Sequence, residues 1–153
     1  VQILVSGDKN GMPVALSNDV LTVFKQYMNR VKVAGVILGI TSKRGDYLSI
    51  EAKISVDPLV IDEEGYRLSD GTKPVESAIE EHLKNIKYGG TFNKTKLVNA
   101  ILAVDGVEDV ELGTCSYQIE GSLEWHNISG NNYIGESGSY IPYFLSDSLT
   151  YVV

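Results

Sequence analysis

Apolar residues first recur at helical spacing in the stretch that follows Ser17. Its apolar positions share one helical face, and they are Val20, Val23, Phe24, Tyr27, Met28 and Val31. Ser17 is a good N-cap, Asp19 suits the first turn, and Arg30 lies where a cation complements the helix dipole. The pattern therefore predicts an amphipathic helix that begins after Ser17 and ends near Val31.

The same spacing predicts two further helices. The second begins at Pro74, because proline suits a first helical turn, and Gly89-Gly90 closes it. Its apolar face consists of Val75, Ala78, Ile79, His82, Leu83 and Ile86. The third is capped by Asn93 and is stopped by Asp105-Gly106. Its apolar positions are Leu97, Ala100, Ile101 and Val104.

The clearest periodic signal is a strict alternation from Tyr47 to Val56. The apolar positions are Leu48, Ile50, Ala52, Ile54 and Val56. Polar residues and Tyr47 occupy the positions between them, which is typical of a strand with one buried face and one wet face. We expect this strand to form a hairpin with Val36–Ile40 through a turn at Ser42–Asp46. Asp57-Pro58 should end it, since proline cannot donate to a strand ladder.

The remaining connections are predicted to be polar or β-like. Residues 59–73 are acidic and contain glycine, so we expect a long surface connection. Val107–Leu112 is predicted to be a strand, and alternation from Tyr117 to Trp125 continues the β-like character. A final hairpin is expected to join Tyr140–Phe144 to Leu149–Val153.

Together these patterns predict an α+β fold, with antiparallel hairpins, about three helices packed on the sheet, and a β-rich C-terminal tail. We expect an α+β region over residues 1–113 and a β-rich segment containing Tyr, Gly and Ser over residues 114–153. The chain begins with Val1 and not with methionine, which we interpret as an excised or processed fragment.

Charge disfavours two classes of partner. The formal net charge is −7, and an acidic surface repels nucleic-acid phosphates and anionic membrane surfaces. No apolar run approaches the roughly 20 residues that span a bilayer, so membrane insertion is not expected. Cys115 is the single cysteine, which excludes an intrachain disulfide and a zinc–cysteine cluster.

The candidate chemical motifs favour structural interpretations. Arg44-Gly45-Asp46 matches an integrin-binding tripeptide, but we interpret it as a hairpin turn in which glycine supplies a positive φ. The sequons at Asn93 and Asn127 lack a secretory context. His82 and His126 do not form a metal-binding spacing, and the carboxylates Asp57, Asp62, Glu63, Glu64 and Asp70 lack the spacing of a calcium loop. No catalytic residue, metal site or cofactor is predicted.

The C-terminal segment is rich in aromatic residues interleaved with Gly, Ser and Asn. Tyrosine and tryptophan combine a large contact area with a polar group, which suits protein interfaces. The candidate interface residues are Tyr117, Trp125, Tyr133, Tyr140, Tyr143 and Tyr151, with Phe144 beside them. Packing inside the sheet is the alternative, and the two can hold for different residues.

The order of motifs resembles the baseplate J-like family of phage tails and contractile injection systems. The strongest part is Gly89–Leu112, with a glycine pair, an apolar helix and a Gly-Val-x-x-Val strand. The strand ending at Asp57-Pro58 and the helix Val75–Ile86 precede it in the same order. The opening strand and the helix after Ser17 extend the resemblance to about residues 1–112. The C-terminal segment has no matching part.

This resemblance implies a non-enzymatic structural subunit of a baseplate in a virion, a prophage-derived particle or an injection machine. Such a particle assembles in the bacterial cytoplasm. The implied partners are other baseplate or tail subunits, and a homo-oligomer is a further candidate. Two alternatives remain open. One is a carbohydrate- or surface-binding module that uses the aromatic C-terminal segment. The other is a hydrolase that uses His82 or His126, for which the sequence supplies no nucleophile or metal set.

Overall fold

The computed structural model describes residues 1–153. Its helices are α1 (Asn18–Val31), α2 (Pro74–Asn85), α3 (Lys94–Leu102) and the single turn α4 (Leu145–Ser148). The N-terminal strands are β1 (Gln2–Leu4), β2 (Gly7–Lys9), β3 (Met12–Val14) and β4 (Gly39–Thr41). The strands that follow are β5 (Asp46–Val56), β6 (Thr91–Asn93), β7 (Val107–Gln118), β8 (His126–Asn127), β9 (Asn132–Ile134), β10 (Tyr140–Pro142) and β11 (Leu149–Val152).

The three predicted helices are confirmed, and so are the residues that start them. Ser17 caps α1, because its hydroxyl accepts a hydrogen bond from the Val20 amide at 3.4 Å. Pro74 is the first residue of α2, a position at which a backbone N–H would have no hydrogen-bond partner within the helix. The Asn93 side chain accepts from the Lys96 amide at 2.8 Å and so caps α3.

One five-stranded sheet is built around β5. Its partner β7 runs antiparallel along one edge, and β8 extends the sheet beyond β7. Along the other edge, β10 pairs with the first residues of β5 and β11 pairs with the last ones, both parallel to it. The α+β class is therefore confirmed. The central strand is also the one with the clearest sequence alternation.

Both predicted hairpins that flank this sheet are wrong. Residues of β4 pair in parallel with β1 and not with β5. Likewise, β10 and β11 do not pair with each other, because α4 lies between them and both pair with β5. For β10 and β11, the edge of the long strand β5 offers more hydrogen bonds than one short strand offers the other. Since β7, β10 and β11 together occupy both edges of β5, β4 pairs with β1 instead.

A single apolar core lies on the inner face of this sheet. The apolar side of β5 is buried as predicted, with Ile50 and Ile54 fully inaccessible to solvent. The helices α2 and α3 cover it with Val75, Ile79, Leu83, Leu97 and Ile101. Tyr140, Leu145 and Leu149 from the C-terminal segment join the same cluster. The long strand β7 continues across the expected boundary at residue 113, and the two-part division stays a prediction.

The connection from residue 59 to 73 is more ordered than its composition suggested. Ile61 is fully buried in the core, and its backbone pairs with that of Arg67. Gly65 is buried directly beneath the ring of Tyr151 and has a φ of +84°, so a side chain there would collide with that ring. The prediction of a solvated surface connection is thus wrong for these residues.

The N-terminal region, residues 1–39, contains no buried residue. Here β1 pairs with β4, β2 pairs with β3, and α1 makes no extensive contact with any other element. Only at Ile40, which is 6% exposed, does the chain begin to bury side chains. None of the helices has the length and apolar character required to cross a membrane.

Candidate interaction surface

Three of the candidate aromatic residues form an interior stack on the sheet. The rings of Tyr117 and Tyr133 are parallel within 19°, with centroids 4.1 Å apart. Tyr140 meets Tyr133 edge-on at 6.0 Å and lies 6.2 Å from Phe92. Tyr140 is 3% exposed, and its hydroxyl donates to the Gly90 carbonyl at 2.8 Å. This group stabilises the packing of β9 and β10 beside β7.

A buried carboxylate anchors this interior stack. Asp46 is 1% exposed and accepts hydrogen bonds from the Tyr133 hydroxyl at 2.8 Å and from the Glu136 amide at 3.1 Å. Its own amide donates to the Ser137 hydroxyl at 2.9 Å. Burial, followed by this hydrogen bond to Asp46, raises the pKa of the Tyr133 phenol. The acidic residue thus ties residues 133–137 to the start of β5.

The interpretation of Arg44-Gly45-Asp46 as an exposed hairpin turn is therefore wrong. Asp46 begins β5, and the buried Gly45 does not have a positive φ. A Cβ atom on Gly45 would lie 2.9 Å from both the Ile141 side chain and the Ser139 hydroxyl. Glycine is required here by the close approach of β10, and not by a turn.

Tyr151 also belongs to the interior. Its ring covers Gly65, and burial raises the pKa of its phenol. The Tyr151 hydroxyl is buried and has no hydrogen-bond partner. An unpaired buried hydroxyl costs free energy, so this tyrosine is held in place by its ring and not by its polar group.

The other candidate aromatic residues lie on the outside. Trp125 and Tyr143 meet at 5.0 Å, and Tyr143 also contacts Tyr47 at 5.3 Å and Phe144 at 4.5 Å. These four residues are here called the outer aromatic cluster. Phe144 is 66% exposed and Trp125 is 37% exposed. The Arg44 guanidinium lies 3.6 Å from the Tyr47 ring centroid, a cation–π contact.

Phe144 adopts a backbone conformation that side chains rarely take. Its φ is +44° and its ψ is 57°, which is the left-handed region. Such a conformation costs of order 1 kcal/mol in a residue with a Cβ atom, and the surrounding structure must hold it. Its carbonyl accepts from the Asp147 amide and the Ser148 hydroxyl at 3.2 Å each. The turn α4 therefore fixes an apolar ring that points towards solvent.

Next to this cluster, the outer face of the sheet is open and acidic. A shallow trough of about 590 Å³ there is lined by the exposed carboxylates Glu51, Glu111 and Asp147. Lys53 is the basic residue in its lining. Since α2 and α3 pack on the inner face, neither of them covers these side chains.

The second apolar surface is on α1. Four residues on one side of this helix are more than half exposed: Val20 at 53%, Val23 at 65%, Tyr27 at 60% and Val31 at 56%. These four residues are here called the α1 stripe. The sequence correctly predicts an apolar helical face of six residues, but the protein itself leaves four of the six mostly in solvent.

The remaining polar candidates have local roles. The carboxylates of Asp62 and Asp70 accept from nearby backbone amides and so shape the connection after β5. Burial, and secondarily Lys96, lowers the pKa of His82, whose Nε2 is buried without a hydrogen-bond partner. Burial raises the pKa of the Cys115 thiol. No three His, Cys, Asp or Glu side chains come together as a metal-binding set.

Sequence reasoning missed several residues of these surfaces. The sequence predicts a wet strand face for Tyr47 and a turn for Arg44, yet Tyr47 belongs to the outer aromatic cluster and Arg44 packs on its ring. Their signal was an aromatic residue at a position of β5 that should have been polar. The interface role of the six candidate aromatic residues stays a prediction. The structure separates them into four interior residues and an outer pair, of which Trp125 is exposed and Tyr143 is half-buried.

Comparison with known families identifies the central part of the chain. The family model of the baseplate J-like protein C-terminal domain matches residues 50–128. This range begins within β5, includes α2, α3 and β7, and ends just beyond β8. It continues past the end of the resemblance noted in the sequence, and residues 1–49 lie outside it. No curated protein matches the chain.

Proposed function

The chain belongs to the family of baseplate J-like protein C-terminal domains, and from this membership we propose that it is a structural subunit of a phage-tail-like baseplate. In this role it acts through protein–protein contacts and not through catalysis. Its partners are other baseplate or tail subunits, and its place is in the assembled particle.

The observation that carries this proposal is the α1 stripe. An amphipathic helix normally buries its apolar face, because that burial supplies most of the stability of a helix in water. The α1 stripe is instead exposed and free to contact another subunit. Exposed apolar surface of this kind is typical of protein interaction sites.

The experiment that tests the proposal compares two faces of α1 during particle assembly. One variant carries Val23→Glu and Tyr27→Glu on the stripe. The matched control carries Thr22→Glu and Asn29→Glu, two exposed polar residues on the side of the helix that faces away from the stripe. Tail-like particles are purified from cells that produce each tagged protein in place of the wild type.

We expect the wild type and the control in the particles, and at least a tenfold loss of the stripe variant. Charged side chains on the stripe would have to be desolvated in the interface, which weakens binding. Absence of the wild-type chain from the particles would contradict the proposed role. Equal incorporation of the stripe variant would show that α1 is not the contact surface.

A second candidate function uses the outer aromatic cluster. Trp125 and Phe144 expose ring surface on which a sugar can stack, and this observation supports a carbohydrate-binding module. A glycan array with the intact chain tests it, with Trp125→Ala as the control. Binding that disappears in the variant supports this function, whereas no binding at about millimolar sugar, a free energy near −4 kcal/mol, argues against it.

A further inference from the structure

The charges of the chain are divided unevenly along its length. Residues 1–39 contain four Lys and Arg against two Asp and Glu, a net charge of +2. Residues 40–153 contain nine Lys and Arg against eighteen Asp and Glu, a net charge of −9. The overall charge of −7 therefore conceals a basic region and an acidic region in one molecule.

The basic region carries the α1 stripe. Arg30 follows Val23 by seven residues and Tyr27 by three, which puts its side chain beside the stripe. Lys32 follows immediately after the helix, and both cations are exposed. One end of this apolar surface is thus positively charged.

The acidic region offers a surface with the complementary arrangement. The outer aromatic cluster supplies the exposed rings of Trp125 and Phe144, and the acidic trough, whose lining includes Lys53 as its basic residue, lies farther along β5. Glu51 follows Tyr47 by four residues on the same face of β5, a distance of about 13 Å. Asp147 follows Phe144 by three residues in α4. Carboxylates therefore lie beyond one end of this apolar patch, just as cations lie at one end of the α1 stripe.

We infer that α1 of one copy docks on the outer sheet face of a second copy of this chain. The helix has 14 residues and a length of about 21 Å, enough to reach from the aromatic cluster to the trough. In this arrangement the α1 stripe covers the aromatic rings, and Arg30 and Lys32 face Glu51 and Glu111. The contact joins two different surfaces, so repeated copies form a ring or an open chain.

This inference rests on the proposed function and names one of its partners. It is tested with charge reversals in the isolated chain, followed by sedimentation velocity over a range of concentrations. The first variant carries Arg30→Glu and Lys32→Glu, and the second carries Glu51→Lys and Glu111→Lys. A control for the second variant, Glu80→Lys with Glu81→Lys, makes the same change in net charge on the exposed side of α2.

We expect the wild type to associate. Its association should weaken at high salt, because salt screens the attraction between the opposite charges. Each reversal should weaken association by about tenfold or more, because like charges then face each other. The control should stay within about twofold of the wild type. An equimolar mixture of the two reversal variants should associate again, since each then offers the charge that the other lacks. Circular dichroism checks that all variants are folded.

The inference is overturned if the wild type stays monomeric at all concentrations, or if either reversal associates as the wild type does. It is also overturned if the mixture does not recover. A chain that is monomeric but still enters the particle leaves the proposed function intact and assigns the α1 stripe to a different subunit. A chain that associates with itself but is absent from the particle contradicts the proposed function alone.

Discussion

Two regions of this chain use the same sequence pattern with opposite results. In residues 1–39, α1 presents an apolar face and buries none of its residues. In residues 40–153, α2 presents a similar face and buries Val75, Ile79 and Leu83. The periodicity of apolar residues therefore determines that a helix forms and which side of it is apolar. It does not determine whether the same chain covers that side.

This difference has an energetic consequence. A helix of about 14 residues is only marginally stable in water without tertiary packing. The core region gains its stability from the burial of side chains such as Phe92 and Ile54, which are fully inaccessible. We therefore expect the core to unfold as one unit and α1 to open independently of it.

The largest contrast is expected between truncations in the two regions. Phe92→Ala should lower the free energy of unfolding by about 3–5 kcal/mol, because it leaves a cavity in the core. Tyr27→Ala removes a ring that is 60% exposed and should change stability by less than about 0.5 kcal/mol. Urea denaturation of both variants measures this. A cost above about 2 kcal/mol for Tyr27→Ala would mean that α1 is part of the core.

A smaller contrast concerns two half-buried tyrosines of the core region, Tyr133 and Tyr151. Tyr133→Phe removes the donor to Asp46 and should cost about 1.5 kcal/mol, as expected for a hydrogen bond to a charged group. Tyr151→Phe removes a hydroxyl that has no partner, so it should be neutral or slightly stabilising. Thermal unfolding of the two variants distinguishes them. If Tyr151→Phe is the more damaging change, the account of both hydroxyls is wrong.

The helix caps test whether the regions are coupled. Asn93→Ala should reduce global stability by about 1 kcal/mol, because α3 is packed on the core. Ser17→Ala weakens α1 by a similar amount but should leave the global unfolding midpoint unchanged, since the core does not depend on α1. Its effect should appear instead as faster hydrogen exchange within α1. A lower global unfolding midpoint in both variants would show that the unfolding of α1 is coupled to that of the core.

The smallest effect is expected from pH, through His82. Burial and Lys96 hold its folded pKa below the ordinary value of 6.5, so protonation favours the unfolded chain. The stability that His82 contributes is complete above pH 6.5 and is lost as the pH falls through its folded pKa. Thermal melts from pH 7.5 to 5 should therefore show a steeper decline for the wild type than for His82→Gln. Parallel curves would contradict this assignment.

Local features of the fold could be predicted from the sequence. The alternation in β5, the cap at Ser17, the cap at Asn93 and Pro74 each depend on a short stretch of chain, and each is confirmed. Their physical causes are periodicity and the hydrogen bonding of the first helical turn. The family resemblance was also visible in the order of these features.

Long-range features could not be predicted in the same way. The parallel pairing of β10 and β11 with β5 joins residues about 95 positions apart, and no local pattern encodes such a partner. The burial of Asp46 depends on the distant Tyr133 and Glu136. The division of the aromatic residues into interior and exterior groups follows from that topology. For this reason the sequence identified the candidate aromatic residues but could not show which of them lie on the surface.

The central claim is that the α1 stripe is exposed in the free chain and covered in the assembled particle. Hydrogen–deuterium exchange of α1, measured by mass spectrometry in the free chain and in purified particles, tests it most directly. We predict rapid exchange of α1 beside a protected β5 in the free chain at concentrations low enough to keep it monomeric, and strong protection of α1 in the particle. Equal protection of α1 in both states, whether high or low, would contradict the account.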